Sequence, residues 1–100
     1  IQGDSKVTVI SSGEEKPFAY PNPCDSENTL KFSQIPEGSR IYNYTVSGEE
    51  VANFDVPEGE TSFEWDLYNE KGEKVERGIY IYLIISPEGK KYTGKVAIIK

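Results

Sequence analysis

The chain has 100 residues, with 11 Lys and Arg against 17 Asp and Glu, and therefore a net charge of −6. This length suits one domain with one core, and the acidic balance argues against nucleic-acid binding, which needs clustered Lys and Arg. No apolar run approaches the roughly 20 residues that span a bilayer, so we predict no transmembrane segment.

Residues 1–18 are interpreted as an N-terminal strand followed by a polar linker. Residues 6–10 alternate in polarity, and Val7, Val9 and Ile10 would be exposed if this strand did not pack on the domain. Docking is therefore favoured over membership of a preceding domain. The chain begins with Ile and shows no signal-peptide pattern, so we expect a piece of a longer protein or a mature fragment, with Lys100 as its candidate natural end.

Residues 19–100 form the predicted domain. Pro and Gly divide this stretch into short segments rich in β-branched and aromatic residues. We predict strands over residues 29–35, 40–46, 50–56, 61–67, 78–86 and 92–99. Short strands separated by turn signals predict an all-β, immunoglobulin-like (fibronectin III-like) β-sandwich of about seven antiparallel strands.

The alternation of residues within these segments predicts which side chains face the core. Leu30 and Phe32 fall on one face of their strand, and Phe63 and Trp65 point inward from theirs. Residues 78–86 are apolar at nearly every position, which predicts a central strand covered on both faces.

The residue chemistry does not indicate an enzyme, and no catalytic residue or cofactor is predicted. The chain has no His, which excludes Ser and Cys triads of the usual form. Its acidic pairs stand at turns, where solvated charges are normal. Cys24 is the single cysteine, so it forms neither an intrachain disulfide nor a thiolate zinc site, and we interpret it as a small buried hydrophobe.

Two local patterns are candidate ligand or modification sites. Residues 66–72 carry oxygen-bearing side chains at positions 66, 69 and 70, a spacing that does not match a calcium-binding loop. A turn between strands is favoured there, with calcium binding as the minor alternative. The sequon at Asn43 lies inside a predicted strand, so we do not expect glycosylation.

The aromatic residues allow a carbohydrate-stacking platform as an alternative to core packing. Core packing is favoured because Trp65 shares a face with Phe63, and because Tyr80 stands where a sandwich often places a tyrosine whose hydroxyl anchors the backbone. The platform candidates are Tyr42, Tyr44, Tyr68, Tyr80, Tyr82, Tyr92 and Trp65.

Several short motifs occur in a fixed order along the domain. They are Tyr20-Pro21-Asn22-Pro23, Tyr44-Thr45-Val46-Ser47-Gly48, Trp65-Asp66, Gly78-Ile79-Tyr80 and Gly94-Lys95-Val96-Ala97-Ile98-Ile99-Lys100. Together they resemble the immunoglobulin-like C-terminal domains of type IX secretion cargo proteins, and the related sandwich of the flagellar hook-capping protein, over about residues 19–100.

The first of these motifs has a physical interpretation of its own. Pro21 and Pro23 fix φ and lack a backbone donor, so we expect the segment to stay extended and unpaired, with Asn22 bonding its own backbone. We assign structural roles to Tyr20, Pro21, Asn22, Pro23, Gly48, Trp65, Gly78 and Tyr80.

Three positions depart from the family pattern. Cys24 stands where a large apolar residue is usual, Asn43 where an aliphatic residue is usual, and Leu67 where glycine usually follows Trp-Asp. Asn43 affects the expected packing of the hairpin, and Leu67 affects the expected tight turn after the tryptophan.

The resemblance implies a non-catalytic C-terminal domain of a larger secreted or cell-surface bacterial protein, which the type IX secretion machinery recognises for export and attachment. The partners would be that machinery or neighbouring domains of the parent protein. The alternatives are a structural adapter beside an enzyme module and a weak carbohydrate-binding module. The expected recognition residues, presented as an edge or terminal strand for strand addition, are Lys95, Val96, Ala97, Ile98, Ile99 and Lys100.

Overall fold

The computed structural model describes residues 16–99, which contain eight β-strands and no helix that is long and apolar enough to cross a membrane. The predicted strand at residues 6–10 and Lys100 lie outside the described residues. The strands are β1 (Phe18–Tyr20), β2 (Cys24–Asp25), β3 (Leu30–Ser33), β4 (Arg40–Thr45), β5 (Glu50–Asp55), β6 (Phe63–Trp65), β7 (Gly78–Ile85) and β8 (Lys91–Ile99).

The strands form a sandwich of two sheets. One sheet has the order β1-β3-β6, and the other has the order β2-β8-β7-β4-β5. The predicted all-β sandwich is confirmed, with two differences in detail. The structure adds two short strands, β1 and β2. β2 runs parallel to β8 with Cys24 opposite Ile98, whereas the other strand pairs are antiparallel.

Aromatic side chains from both sheets form the centre of the core. Phe32 of β3 meets Tyr82 of β7 edge to face, with ring centroids 5.4 Å apart. Phe54 of β5 stacks on Phe63 of β6 at 4.6 Å and lies 5.9 Å from Trp65. These contacts join the two sheets, and the inward faces predicted for β3 and β6 are confirmed.

β7 lies at the centre of its sheet, between β8 and β4, but only one of its faces is buried. Tyr80, Tyr82 and Ile84 point into the core, whereas Ile79 is 45% exposed. The prediction of cover on both faces is wrong. The remaining outward residues of β7 are Ile81, Leu83 and Ile85, which are half-buried by neighbours on adjacent strands. This apolar face therefore forms part of the surface of residues 16–99.

The hairpin between β4 and β5 turns at Ser47 and Gly48, as predicted. Gly48 has φ of 99°, in the left-handed region that glycine enters without strain. The N–H of Gly48 donates to the carbonyl of Thr45 at 2.9 Å, and the N–H of Thr45 donates to the carbonyl of Glu49 at 2.8 Å. The pairing of the two strands shifts between Asn43 and Tyr44, which is a β-bulge.

Candidate recognition surface at the terminal strand

The expected recognition residues belong to β8, apart from Lys100, which lies outside the described residues. β8 does not lie at the edge of its sheet, because β7 pairs along one side and β2 pairs with Ile98 and Ile99 along the other. Of the two expected placements, an edge strand or a terminal strand, the edge is therefore wrong, whereas β8 is the last strand of residues 16–99. β2 covers this side of β8. A strand of two residues is too short to be recognised from the sequence.

The side chain of Asn22 extends the cover that β2 provides. Its Nδ2 donates to the carbonyl of Lys95 at 3.0 Å, and its Oδ1 accepts from the N–H of Ala97 at 3.1 Å. One side-chain amide thus supplies the pair of hydrogen bonds that a neighbouring strand would make. Ser26 N–H donates to the carbonyl of Ile99 at 3.0 Å. These groups on the free side of β8 are therefore already bonded, and strand addition there is blocked.

The segment from Tyr20 to Pro23 carries the chain from one sheet to the other. β1 pairs with β3 up to Tyr20, and β2 begins directly after Pro23. The Tyr20–Pro21 and Asn22–Pro23 peptide bonds are both cis. The backbone bends at residues 21–23, so the expectation of an extended segment is wrong. The expectation of Asn22 bonded to its own backbone is also wrong, since its side-chain amide bonds β8 instead. Because the two prolines have no N–H, the crossover leaves no donor at these positions that needs a partner.

The side chains of β8 divide between the core and the surface. Val96 and Ile98 are each 1% exposed, so two of the predicted recognition residues belong to the core. Their neighbours point outward on the same face as Ile79, which pairs with Ala97. Ile99 is 44% exposed, close to the value for Ile79. The outward set is named the terminal patch and consists of Ile79, Lys95, Ala97 and Ile99.

Tyr80 anchors the start of β7 from the core side. Its hydroxyl donates to the backbone carbonyl of Glu76, as the predicted role requires. Burial raises the pKa of the Tyr80 hydroxyl, with a smaller contribution from the charge of Glu76. Gly78 begins the same strand with φ of 151°, and no heavy atom lies within 4 Å of the position that a Cβ would take. Glycine is therefore needed there for its backbone conformation and not for space.

The glycine of the last motif is required for space. Gly94 lies opposite Tyr82 in the pairing of β7 with β8, and a Cβ at Gly94 would collide with the Tyr82 ring. The aromatic ring therefore covers the bare backbone of the neighbouring strand. The sequence shows the glycine but not its partner, because the two residues are brought together only by the register of the sheet.

The turn after Trp65 forms without the usual glycine. Leu67 adopts a φ of 68° while its side chain is fully buried. The indole N–H of Trp65 donates to the carbonyl of Tyr68 at 2.9 Å, and Asp66 Oδ1 accepts from the Tyr68 N–H at 3.1 Å. Burial of a large side chain therefore offsets the strain that a left-handed leucine introduces.

The loop proposed as a minor calcium site uses its side-chain oxygens for its own backbone. Asn69 Oδ1 accepts from the N–H groups of Lys71 and Glu73, each at 2.9 Å. Within residues 16–99, no three His, Cys, Asp or Glu side chains form a group that could hold a metal ion. These bonds are those of a turn, which was the favoured interpretation.

The other two departures from the family pattern are both buried. Cys24 is fully buried, and burial raises the pKa of its thiol, as expected of a residue that acts as a small hydrophobe. Asn43 is also fully buried, and neither its Oδ1 nor its Nδ2 has a hydrogen-bond partner among residues 16–99. A sugar cannot be attached to this amide in the folded domain.

Several of the aromatic side chains named as candidates for a carbohydrate platform are buried in the core. Trp65, Tyr80 and Tyr82 are buried, each less than a tenth exposed. Tyr42 and Tyr44 remain as a stacked pair on the outer face of β4, with centroids 6.4 Å apart, but both are half-buried by their neighbours. Tyr92 is partly buried against the core, and Tyr68 is 43% exposed in the turn after β6, so the seven candidates do not share one exposed face.

No protein-family model matches this chain, and no curated protein matches it significantly. Solved structures do. PorZ, described as an essential bacterial surface component of the type IX secretion system of Porphyromonas gingivalis, has a TM-score of 0.71 at 18% identity over 84% of this chain. The chain shares this fold.

Two further solved structures have the same fold at similar identity. Latent dimeric PorU from P. gingivalis has a TM-score of 0.61 at 19% identity over 93% of the chain, and FlgD from P. aeruginosa has 0.54 at 17% identity over 87%. The aligned region is 76% of the FlgD chain. In contrast, this chain spans only 11% of PorZ and 10% of PorU.

Proposed function

We propose that this chain is a non-catalytic immunoglobulin-like module of a larger secreted or cell-surface bacterial protein, and that it acts in type IX secretion as a sorting and attachment module. The observation that carries the proposal is the fold shared with PorZ over 84% of the chain. The ordered motifs from Tyr20 to the end of the chain add to it, because they resemble those of type IX cargo domains over the same region.

In this proposal the secretion machinery recognises the terminal patch of the folded domain. Strand addition to β8 is blocked by β2 and by Asn22, so the recognised features are side chains and not backbone groups. Ile79 and Ile99 are 45% and 44% exposed, and the small side chain of Ala97 leaves a flat surface beside Ile79. Two half-exposed isoleucines beside a lysine would suit a partner surface that is apolar with an acidic rim.

The structure decides which variants test this proposal. Deleting residues 96–100 would remove Val96 and Ile98 from the core and would unfold the domain whether or not the machinery recognises it. Substitutions in the terminal patch avoid this problem. The test variant is Ile79→Glu combined with Ile99→Glu. The matched control is Val46→Glu, since Val46 is 63% exposed in the hairpin turn, outside the patch.

The full 100-residue chain is fused to a reporter and expressed in a type IX-competent bacterium. We expect export of the unaltered fusion and of the Val46→Glu control, and a reduction of at least about fivefold for the double variant, as for loss of central interface residues. Circular dichroism and thermal melts of the purified variants check that each is folded. Equal export of a folded double variant would refute recognition through the terminal patch. Failure of the unaltered fusion to be exported would refute the sorting function itself.

A structural adapter is the second candidate function. It is favoured by one observation, that this fold occupies about a tenth of the much longer PorZ and PorU chains. The same fusion experiment separates the two functions, because an adapter positions its neighbours without causing export of a reporter.

A further inference from the structure

β5 is the longest strand at a sheet edge among residues 16–99. It has six residues and ends the five-stranded sheet, whereas the other edge strands, β1, β6 and β2, have three, three and two. Edge strands carry backbone donors and acceptors that another strand can use. Among residues 16–99, β5 is therefore a better candidate for strand addition than β8, which lies inside its sheet.

The hydrogen-bond pattern shows which residues of β5 face outward. Val56 N–H donates to the carbonyl of Ser39 at 2.8 Å, directly before the registered pair of Arg40 with Asp55. Bonded and non-bonded pairs alternate along an antiparallel ladder. It follows that Phe54 bonds to β4, and that the N–H and C=O groups of Asn53 and Asp55 point away from the sheet.

One outward group of this edge is already bonded within the chain. The N–H of Glu70 donates to the carbonyl of Val51 at 3.2 Å, from outside the sheet. An added strand would make the same kind of bond at the next outward residues, Asn53 and Asp55. Within residues 16–99, no strand pairs with these two from that side.

A groove runs beside this open edge. Ala52 and Phe54 line it from β5, and Tyr68 and Asp66 line it from the turn after β6. Phe54 rests on Phe63, which gives the groove an apolar base, and Tyr68 is 43% exposed. A strand added to β5 would place alternate side chains in this groove and the others over the outer face of the sheet.

The charges around the edge select the kind of partner. Glu50, Asp66 and Glu70 lie along the edge or the groove, with Lys71 beside them. Lys74 Nζ lies 4.9 Å from the centroid of the Tyr68 ring, so the carboxylates still outnumber the ammonium groups there. Arg40 is already paired with Asp55, with Nε and Oδ1 2.9 Å apart. A second copy of this acidic chain would bring like charges together across the new pair of strands, which is unfavourable.

We propose that β5 is a docking site for an extended segment with basic side chains, which joins the sheet next to Asn53 and Asp55. This site is separate from the terminal patch and does not depend on the sorting function. The lysine or arginine side chains of the segment would face the carboxylates of Glu50 and Glu70, and its apolar side chains would enter the groove.

The probe is a synthetic peptide in which lysine and valine alternate, with a glutamate–valine peptide as the control. The full chain is labelled with ¹⁵N, and binding is followed by the backbone amide signals. Asn53→Pro removes the outward N–H, and Pro is tolerated at such edge positions. Asn53→Ala is the matched control, because both variants lose the side-chain bonds to Arg40, Glu50 and Glu70, but only alanine keeps the N–H.

We expect the lysine peptide to shift the Asn53 and Asp55 amides and the glutamate peptide to leave them unchanged. Affinity should fall about tenfold in Asn53→Pro relative to Asn53→Ala, the loss expected for a backbone hydrogen bond at an interface. Equal affinity of the two variants, or shifts located on other strands, would overturn the proposal. Dimerisation of the chain without peptide, seen by sedimentation equilibrium and lost in Asn53→Pro but not in Asn53→Ala, would show that a second copy occupies the edge and would also overturn the proposal.

A measurement on the unaltered chain keeps the proposal testable if Asn53→Pro does not fold. Hydrogen exchange at the amides of Asn53 and Asp55 should slow by about tenfold or more when the lysine peptide is saturating, because each amide then has a partner. Unchanged exchange at both positions under saturating peptide would rule out strand addition at β5.

Discussion

Replacing Asn43 by leucine tests what an unpaired amide costs in the core of this sandwich. Asn43 is fully buried in β4, and both polar atoms of its side chain lack a partner among residues 16–99. Leucine branches at Cγ as asparagine does, so it fits a similar shape. The opposite residue on β5 is Ala52, whose side chain is small.

The expected gain follows from the burial of this side chain. A buried polar group without a partner costs about 1–3 kcal/mol in proteins. Leucine removes that cost and adds apolar burial, but repacking around a slightly larger side chain takes back part of the gain. We therefore expect the free energy of unfolding to rise by about 1–2 kcal/mol. Each kcal/mol corresponds to an increase in Tm of about 4–8 °C for a domain of this size.

Urea denaturation and thermal melts measure this change, with Asn43→Val as a second variant that avoids overpacking. Asn53→Leu is the matched control on the neighbouring strand. The amide of Asn53 is hydrogen-bonded to Arg40, Glu50 and Glu70, so its loss should not stabilise the protein. If Asn43→Leu and Asn43→Val both lower stability by more than about 1 kcal/mol, the amide has a partner in solution and the reasoning is refuted.

Three further substitutions test other contacts of the core, each followed by urea denaturation. Gly94→Ala should lower the free energy of unfolding by more than about 2 kcal/mol, because its Cβ collides with the Tyr82 ring. Adding Tyr82→Leu should recover part of this loss. A Gly94→Ala variant as stable as the unaltered chain would contradict this contact. Leu67→Gly should lose no more stability than Leu67→Ala, because the left-handed conformation costs an alanine about 1–2 kcal/mol and costs glycine almost nothing. A glycine variant clearly less stable than the alanine variant would show that no backbone strain is present. Tyr80→Phe should cost about 1–2 kcal/mol near neutral pH through the bond to Glu76. Because burial raises the pKa of Tyr80 above 10, the stability of the unaltered domain should fall as the pH rises beyond that value, and the Phe variant should fall less.

Features that depend on neighbouring residues in the chain were predictable. Alternation identified the buried faces of β3 and β6, because side chains of a strand point to opposite sides at a period of two. The hairpin at Gly48 and the hydroxyl bond of Tyr80 were predictable for a similar reason, since each involves residues no more than four positions apart.

Features that depend on distant residues were not predictable. Asn22 bonds to Lys95 and Ala97 across 73 and 75 positions of the chain, and no local pattern indicates such a pairing. The parallel strand β2 has only two residues, too few for any periodicity. These two features cover the side of β8 that the sequence analysis offered for strand addition, so the wrong part of that prediction is the edge position of residues 95–99.

The outer face of β7 shows a different limit of sequence analysis. An apolar run has the same pattern whether a second layer covers it or side chains on adjacent strands only half-bury it. Tyr42 and Tyr44 of β4 lie beside Leu83 and Ile81 in the register of the sheet and provide part of that cover. Side-chain neighbours in a sheet follow from register, which the composition of one strand does not determine.

Amide hydrogen exchange at Ala97 and Asn53 tests most directly how the two sides of the five-stranded sheet differ. The Ala97 amide points away from β7 and the Asn53 amide points away from β4, but Ala97 donates to Asn22, whereas Asn53 faces the open side of β5. We predict that Ala97 exchanges at least about a hundredfold more slowly than Asn53, and that Asn22→Ala removes most of this protection. Equally fast exchange at both positions in the unaltered chain would mean that the end of β8 is an accessible edge after all.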